Sequence, residues 1–228
     1  MNWKDFWNTY AAKTDTLEQV GRVGGNTIQR AENVEYYVHH LIALADIKPE
    51  HRVLDVCCGN GLITAALKPF CSSIYGIDIS EKQIAQAEKN YPAIPFAVAD
   101  ITQKESIAIP DNRLVDRILI CFAFQYMETP QAGLQAIENL KRLLAPGGKI
   151  VLTDVPDTRY FFVYYNTLKK LAKLALDMAR SKNNMGKFWS KSELDWIAQS
   201  VEMKGTQYPQ PNQLPYSHYR SDYVFDLA

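Results

Sequence analysis

A glycine-containing turn early in the chain has residue types that suit close contact with a nucleoside. Residues 53–56 form a short β-branched run that leads into Gly59 and Gly61, and residues 62–67 continue in a helical pattern. Because glycine has no Cβ, the backbone N–H groups of such a turn can approach a ligand closely. A second β-branched run ends at Asp78, an acid placed to accept both hydrogen bonds of a ribose diol. Together these residues predict a strand, a turn and a helix that bind a nucleoside cofactor.

The turn departs from the glycine pattern that a dinucleotide such as NAD or FAD requires. That fingerprint, Gly-x-Gly-x-x-Gly, opens the turn, admits the pyrophosphate and allows close helix packing. Cys57 stands at the position of the first glycine, and Thr64 lies three residues beyond Gly61. Because the pattern fails at these two positions, we expect a cofactor with a single nucleoside and no pyrophosphate.

The same segment resembles the first motif of the class I S-adenosylmethionine-dependent methyltransferases, Val-Leu-Asp-x-Gly-Cys-Gly-x-Gly. Asp55, Cys58, Gly59 and Gly61 match this motif, whereas Cys57 replaces its first glycine. Asp55 corresponds to the acid that precedes the turn in that family, where no pyrophosphate is present to repel it. The two glycines that lie nearest to the ligand in the family are retained.

Three later segments extend the resemblance in the same order and spacing as in that family. Residues 96–101 look like its third strand and contain, at Asp100, its adenine-binding acid. Residues 116–121 look like its fourth strand, and residues 140–152 look like its helix, Pro-Gly-Gly turn and fifth strand. One such match is weak evidence, but four in the correct order make the resemblance specific.

The resemblance implies where the chain would bind the family's cofactor, S-adenosylmethionine. Gly59 and Gly61 would face the methionine part, Asp78 the ribose hydroxyls, and Asp100 with the backbone of Ile101 the adenine. The complete set of cofactor-binding residues that we predict is Gln19, Arg22, Asp55, Cys58, Gly59, Gly61, Asp78, Ile79, Asp100, Ile101 and Cys121.

The two acids of this set also have structural interpretations. Asp78 could cap the helix that begins near Ser80, and Asp100 could be an ordinary turn acid. Their placement at the ends of successive strands, where open α/β sheets bind ligands, favours the cofactor role. Gln19 and Arg22 lie in a glycine-containing segment before the core, and Arg22 could pair with the cofactor's carboxylate when that segment closes.

Three polar residues are candidates for the proton transfer that some methyl acceptors require. His218, at the predicted start of the last strand, has an ordinary pKa of about 6.5 and could accept a proton from a hydroxyl. Its alternative role is structural, holding the preceding proline-rich loop in place. Tyr126 and Asp154, at the ends of the fourth and fifth strands, are the other candidate catalytic residues.

The sequence favours oxygen, in a hydroxyl or a carboxylate, as the methyl acceptor. The chain lacks the Asn-Pro-Pro-Tyr or Asp-Pro-Pro-Tyr sequence of the methyltransferases that act on amino groups of nucleic acids and on protein glutamine. Residues 121–124 read Cys-Phe-Ala-Phe at that position. Transfer to a small-molecule amine and a non-catalytic module that only binds the cofactor are the alternatives.

The composition argues against several other classes of protein. The chain has 228 residues, and its formal net charge of +0 argues against a general nucleic-acid binder. No apolar run reaches the ~20 residues that span a bilayer, and the first residues lack the apolar core of a signal peptide. We therefore expect a cytoplasmic protein without a membrane partner. The four cysteines form no Cys-x-x-Cys pair and have no clustered histidines, so we predict no metal site.

The order of the elements predicts a single domain of the Rossmann-like α/β class. Strand and helix patterns alternate in its core, which is typical of a parallel sheet covered on both faces. The family resemblance further implies a seven-stranded sheet that is mostly parallel with an antiparallel last strand. The predicted parts are an N-terminal helical cap at 1–46, a cofactor-binding core at 51–155, a helical lid insertion before the sixth strand at 156–191, and a final helix and edge hairpin at 192–228.

The insertion is predicted to form one long amphipathic helix over residues 160–181. Lys169, Lys170 and Lys173 fall on one side of such a helix. Between residues 157 and 191, eight lysine and arginine residues oppose two acidic residues, a net charge of +6. This basic face is either simply solvated or part of a lid that favours an anionic or carrier-bound acceptor.

Overall fold

A computed structural model describes residues 2–21, 27–111, 113–180 and 185–227, without the side chains of residues 27–32. The described residues form one sheet with helices on both faces. The strands are β1 Arg52–Val56, β2 Ser73–Asp78, β3 Phe96–Val98, β4 Val115–Cys121, β5 Leu144–Pro156, β6 Lys204–Pro209 and β7 Arg220–Asp226. The helices are α1 Trp3–Tyr10, α2 Thr16–Gln19, α3 Thr27–Ala45, α4 Leu62–Leu67, α5 Glu81–Asn90, α6 Pro130–Lys141, α7 Phe161–Tyr164, α8 Leu168–Ala179 and α9 Lys191–Ser200.

The sheet has the strand order β3-β2-β1-β4-β5-β7-β6. All neighbours pair in parallel except β7, which runs antiparallel to both β5 and β6. This arrangement confirms the predicted fold class, a seven-stranded and mostly parallel sheet with an antiparallel last strand. The chain reverses its direction of winding between β1 and β4, and open sheets bind ligands outside the carboxyl ends of the strands at such a point.

Apolar residues on both sides of the central strands hold the helices against the sheet. Successive side chains of a strand point to opposite faces, so Leu54 packs on one face and Val53 on the other. The face of Leu54 is covered by α6 and α9, with Ile137 and Ile197 fully buried. The face of Val53 is covered by α3 and α4, where Leu41 has no exposed surface. Burial on both faces explains why the central strands are almost continuously apolar.

The insertion contains two helices and a break where the sequence predicted one helix over residues 160–181, so that prediction is wrong. Helix α7 ends at Tyr164, and α8 begins only at Leu168. Thr167 lies between them in an extended conformation, and its side chain accepts a hydrogen bond from the Lys170 N–H. Threonine is a favoured N-cap residue, and its side-chain hydrogen bond begins a new helix here.

Helix α8 is amphipathic but has no buried residue. Leu168 is 85% exposed and Met178 is 63% exposed, so its apolar side packs on little of the described protein. Lys173 forms an ion pair with Asp177 within the helix. Among the described helices, none combines the length and apolar composition that crossing a membrane requires.

Gly133 on α6 sets how closely this helix approaches α9 and the segment after β4. A Cβ at Gly133 would lie 2.7 Å from Trp189 Cη2 and 3.1 Å from Ile197 Cδ1. Overpacking costs about 1–3 kcal/mol, whereas alanine gains roughly 1 kcal/mol over glycine inside a helix. We therefore expect Gly133→Ala to lower the free energy of unfolding, measured by urea denaturation. Gln131→Ala, at an exposed position of α6, should be neutral, and an equally stable Gly133→Ala protein would mean that Trp189 moves aside freely.

Candidate functional site

A cavity of about 500 Å³ lies outside the carboxyl ends of β1, β2 and β4. Its volume is within the roughly 300–1,000 Å³ that is typical of sites for small molecules. Most of the predicted cofactor-binding residues meet here, although they come from distant parts of the chain. The predicted site residues that line the cavity are Asp55, Cys58, Gly59, Asp78, Ile79, Asp100, Ile101, Cys121 and Tyr126.

Asp78 holds the turn after β1 against the end of β2. Its carboxylate is buried, with Oδ2 accepting from the Gly59 N–H at 2.9 Å and Oδ1 from the Ser80 N–H at 2.8 Å. Burial raises the pKa of Asp78, and these backbone N–H groups act against that rise. The N-cap of α5 is Ser80, whose side chain accepts from the Gln83 N–H, so the helix does not need Asp78 as its cap. Each carboxylate oxygen retains a lone pair for a ligand.

The two glycines of the turn have different neighbours. Both have a positive φ, +56° at Gly59 and +79° at Gly61. A Cβ at Gly59 would lie 2.7 Å from Val20, which also lines the cavity. A Cβ at Gly61 would instead lie 2.7 Å from Phe96, and the Gly61 N–H donates to the Cys58 carbonyl. Gly59 therefore borders the cavity, whereas Gly61 shapes the turn from behind and does not line it.

Thr64 has a role that the glycine pattern did not indicate. Its hydroxyl donates to Oδ2 of Asp55 at 2.6 Å, and both residues are buried. This bond joins the first turn of α4 to the last part of β1. The residue that interrupts the dinucleotide fingerprint therefore orients the acid that precedes the turn.

Asp100 combines a turn contact with a position on the cavity. Its Oδ1 accepts from both the N–H and the hydroxyl of Thr102, at 2.9 and 2.7 Å. The Asp100 N–H donates to the Ser106 hydroxyl. Because both bonds of the turn use Oδ1, Oδ2 is left to accept from a ligand. The residue is half-buried, and its neighbour Ile101 is buried beside it.

The N-terminal helices cover the cavity with aromatic side chains. Trp3, Trp7 and Val20 line it from this side. The Trp3 ring lies 4.2 Å from that of Tyr126, and the Trp7 ring lies 5.7 Å from it, measured between centroids. Burial raises the pKa of Tyr126, so its hydroxyl remains protonated near neutral pH and can act as a hydrogen-bond donor.

Two buried amides of the core hold these N-terminal helices in place. Asn60, between the two glycines of the turn, donates from Nδ2 to the Thr16 carbonyl and to Oε1 of Gln19, each at 2.8 Å. Gln83 donates from Nε2 to the Gln19 carbonyl at 2.7 Å. Gln19 is thus used in docking and does not line the cavity. Arg22 lies outside the described residues.

His218 stands apart from the cavity. It lies on the turn before β7 and is exposed, with its ring 4.9 Å from the ring of Tyr219. It is not among the lining residues, because β7 begins only at Arg220 and the turn runs over the surface. The structure therefore does not bring His218 together with the predicted cofactor-binding residues.

Asp154 is buried near the cavity but does not line it. Its N–H donates to Asp222, and Oδ2 has no hydrogen-bond partner in the described part of the protein. Asp154 has φ +59° at an irregularity of the β5–β7 pairing. Cys57 and Phe122, directly after β1 and β4, have φ of +59° and +60°. Such strain at three adjacent strands is typical of a functional site.

Comparisons with known proteins give consistent matches over the core. A family model described as a methyltransferase domain matches residues 53–148. The chain is 32% identical over 173 residues to a highly reducing polyketide synthase of Penicillium soppii, covering 69% of this chain and 7% of that protein. It is 33% identical over 129 residues to a trans-aconitate 2-methyltransferase of Acidovorax sp. (strain JS42). This match covers 56% of this chain and 46% of that protein. The chain spans 7% to 65% of the length of the curated relatives it matches.

A solved structure resembles the whole chain. The N-methyltransferase NodS from Bradyrhizobium japonicum, in complex with S-adenosyl-L-homocysteine, has a TM-score of 0.62 and 18% identity. The superposition covers 100% of this chain and 99% of that one. At this identity the likeness shows a shared fold.

The contacts of Asn60 predict that its side chain contributes to holding the N-terminal helices over the cavity. Asn60→Ala removes the two hydrogen bonds from Asn60 to the N-terminal segment, of roughly 0.5–1.5 kcal/mol each, so the free energy of opening of residues 3–21 should fall by about 1–3 kcal/mol. Amide hydrogen exchange of peptides from this segment measures the change, while the strands should keep their protection. Asn90→Ala, at the exposed end of α5, is the control. Unchanged exchange in Asn60→Ala would assign the docking to the aromatic contacts.

Proposed function

Because the chain belongs to the class I S-adenosylmethionine-dependent methyltransferases, we propose that it transfers the methyl group of S-adenosylmethionine to a small-molecule acceptor. The observation that carries this proposal is the buried carboxylate of Asp78, which lines the cavity and receives the Gly59 N–H. A carboxylate fixed in this way by backbone groups is pre-oriented to accept hydrogen bonds from a ribose diol.

The residues around the cavity fit this cofactor by their chemistry. Asp78 suits the ribose, while Asp100 and the backbone of Ile101 suit the adenine. When bound, the sulfonium supplies an activated methyl group. Trp7 and Tyr126 line the cavity, and aromatic faces attract a cation such as a sulfonium. The chain itself then has to align the acceptor with the methyl group and exclude water.

The proposed acceptor atom is an oxygen, with a small-molecule amine as the alternative. The absence of an Asn-Pro-Pro-Tyr or Asp-Pro-Pro-Tyr sequence after β4 supports oxygen. The names of similar proteins include a trans-aconitate 2-methyltransferase and an N-methyltransferase, so these names do not discriminate between an oxygen and an amine acceptor. A hydroxyl acceptor gains nucleophilicity when a nearby base removes its proton.

Asp154 is the residue that we favour for this proton transfer. Its carboxylate oxygen Oδ2 is buried without a hydrogen-bond partner in the described part of the chain, next to the strand end from which Phe122 lines the cavity. Tyr126 is a poorer base because burial raises its pKa and keeps it protonated. His218 is exposed on the turn before β7. Asp154 is therefore the candidate of the three that combines an available acceptor atom with burial.

Cofactor choice is tested by calorimetric titration with S-adenosylmethionine and with NAD. We expect binding of the first and not of the second, because the turn has no pyrophosphate pattern. Asp78→Ala should weaken S-adenosylmethionine binding by about ten-fold to more than a hundred-fold, since a hydrogen bond to a charged group contributes roughly 1.5–3 kcal/mol. Glu88→Ala, at an exposed position on α5, is the matched control. Binding of NAD without S-adenosylmethionine would overturn the proposed function.

The proton-transfer role is tested by comparing Asp154→Asn with His218→Ala. Asparagine tolerates the positive φ of this position and keeps the shape of the side chain, but it cannot accept the proton. We expect kcat of Asp154→Asn to fall by about 10²–10⁴-fold with S-adenosylmethionine affinity unchanged. His218→Ala should keep near-normal kcat. The assay follows transfer of labelled methyl groups to a panel of hydroxyl-bearing and amine-bearing small molecules. Normal turnover by a folded Asp154→Asn protein would show that this carboxylate has no part in the proton transfer.

A further inference from the structure

Arg220, at the start of β7, is a buried guanidinium with one unused edge. The residue is 3% exposed. Its Nη1 donates to the carbonyl oxygen of Asp154, but Nε has no hydrogen-bond partner among the residues that the structure describes. Nη2 donates to the thioether sulfur of Met185, at 3.9 Å. Among the described residues, the edge formed by Nε and Nη2 therefore meets no oxygen.

The charge of Arg220 is surrounded by aromatic rings. Its Cζ lies 4.2 Å from the centroid of Phe122, 5.0 Å from that of Tyr219 and 5.6 Å from that of Tyr216. No described carboxylate forms an ion pair with Arg220; the nearby Asp222 is paired with His40. Aromatic faces attract a cation, but they do not supply the negative charge that a desolvated guanidinium favours. Among the described residues, the carboxylates of Asp154 and Asp222 lie nearby without a direct ion pair to the guanidinium, so its unused edge can take an anionic group of a ligand.

Phe122 connects Arg220 with the cofactor cavity. This side chain lines the cavity and also lies against the guanidinium. The charge of Arg220 acts on the Tyr126 hydroxyl, where it opposes the rise in pKa that burial causes. Met185 and Tyr216 are only half-buried, so a ligand that displaces them can reach the unused edge. Arg220 is therefore close enough to hold a molecule that reacts at the end of the cavity.

Two buried side-chain oxygen atoms also lack hydrogen-bond partners within the described ranges of the chain. They are Oδ2 of Asp154 and Oε1 of Gln210. Both residues are joined through Asp222, whose Oδ1 accepts from the Asp154 N–H at 3.1 Å and from Nε2 of Gln210 at 2.9 Å. Buried oxygens of this kind suit a ligand that donates hydrogen bonds, such as one with hydroxyl groups.

We propose that Arg220 binds the carboxylate of a hydroxylated acceptor through its Nε and Nη2 edge, with the Met185 thioether displaced. Two parallel N–H groups match the two oxygens of a carboxylate, which gives both affinity and a fixed orientation. The hydroxyl groups of the same acceptor lie towards Asp154 and Gln210. This inference rests on the proposed function, and it names the substrate class as hydroxycarboxylic acids.

The test uses protein saturated with S-adenosylhomocysteine and pairs of probes that differ only in charge. The probes are 4-hydroxybenzoate with 4-hydroxybenzamide and L-malate with its diamide, each titrated by calorimetry. We expect at least one carboxylate to bind about ten-fold to a hundred-fold more tightly than its amide. Arg220→Lys should reduce that preference, because lysine keeps the charge but has no planar fork to bind both oxygens of the carboxylate. Arg142→Lys, the same change at an exposed position, should leave it intact.

A second variant tests the edge without altering Arg220. Met185→Glu supplies a carboxylate from within the chain, so it should raise the melting temperature and prevent probe binding while S-adenosylhomocysteine still binds. Equal affinity for carboxylates and amides, no binding of either carboxylate, or a preference that Arg220→Lys leaves undiminished would overturn the inference. Tighter binding of phenyl phosphate than of the carboxylates would overturn the choice of a carboxylate. Failure of S-adenosylhomocysteine to bind wild-type protein would instead overturn the proposed function.

Discussion

The hydrogen bond from the Gly59 N–H to the Asp78 carboxylate is the contact on which the geometry of the site depends. It fixes the turn after β1 against the end of β2, beside a second bond from the Cys58 N–H to the Ile77 carbonyl. The parallel register that pairs Val56 with Ile77 brings the two strand ends level. A shift of one residue would turn the side chain of Asp78 to the other face of the sheet. The strand register, the turn after β1 and the position of the Asp78 carboxylate therefore depend on one another.

The cofactor side of the site could be predicted from the sequence because its geometry follows from local patterns. A β-branched run, a glycine turn and a helical stretch are consecutive in the chain, and parallel strands bring their carboxyl ends to one edge. Asp78 and Asp100 could therefore be placed on the cavity without any knowledge of side-chain contacts. The antiparallel last strand followed from the family resemblance, whereas the strand order was not predicted and comes from the structure.

The remaining features depend on contacts between distant residues, which a local pattern does not encode. Gln19 is drawn away from the cavity by Asn60, 41 residues further along the chain. Gly61 is required by the bulk of Phe96, not by a ligand. The long helix that was predicted for the insertion is interrupted because the Thr167 side chain accepts a hydrogen bond from the Lys170 N–H and so begins a new helix. The exposure of His218 depends on the path of the whole loop before β7.

The bond between Thr64 and Asp55 has a consequence for how this site can change in evolution. Replacing Thr64 with glycine would restore one position of a dinucleotide pattern but would also remove the hydroxyl that donates to the buried Asp55 carboxylate, whose charge repels a pyrophosphate. Replacing Asp55 alone would leave a buried hydroxyl without its acceptor, at a cost of about 1–3 kcal/mol. The two substitutions are therefore energetically coupled and non-additive. Because each single change breaks the buried bond behind the turn, both must occur together before the turn can admit another ligand without that cost, which makes the specificity of the turn an epistatic property.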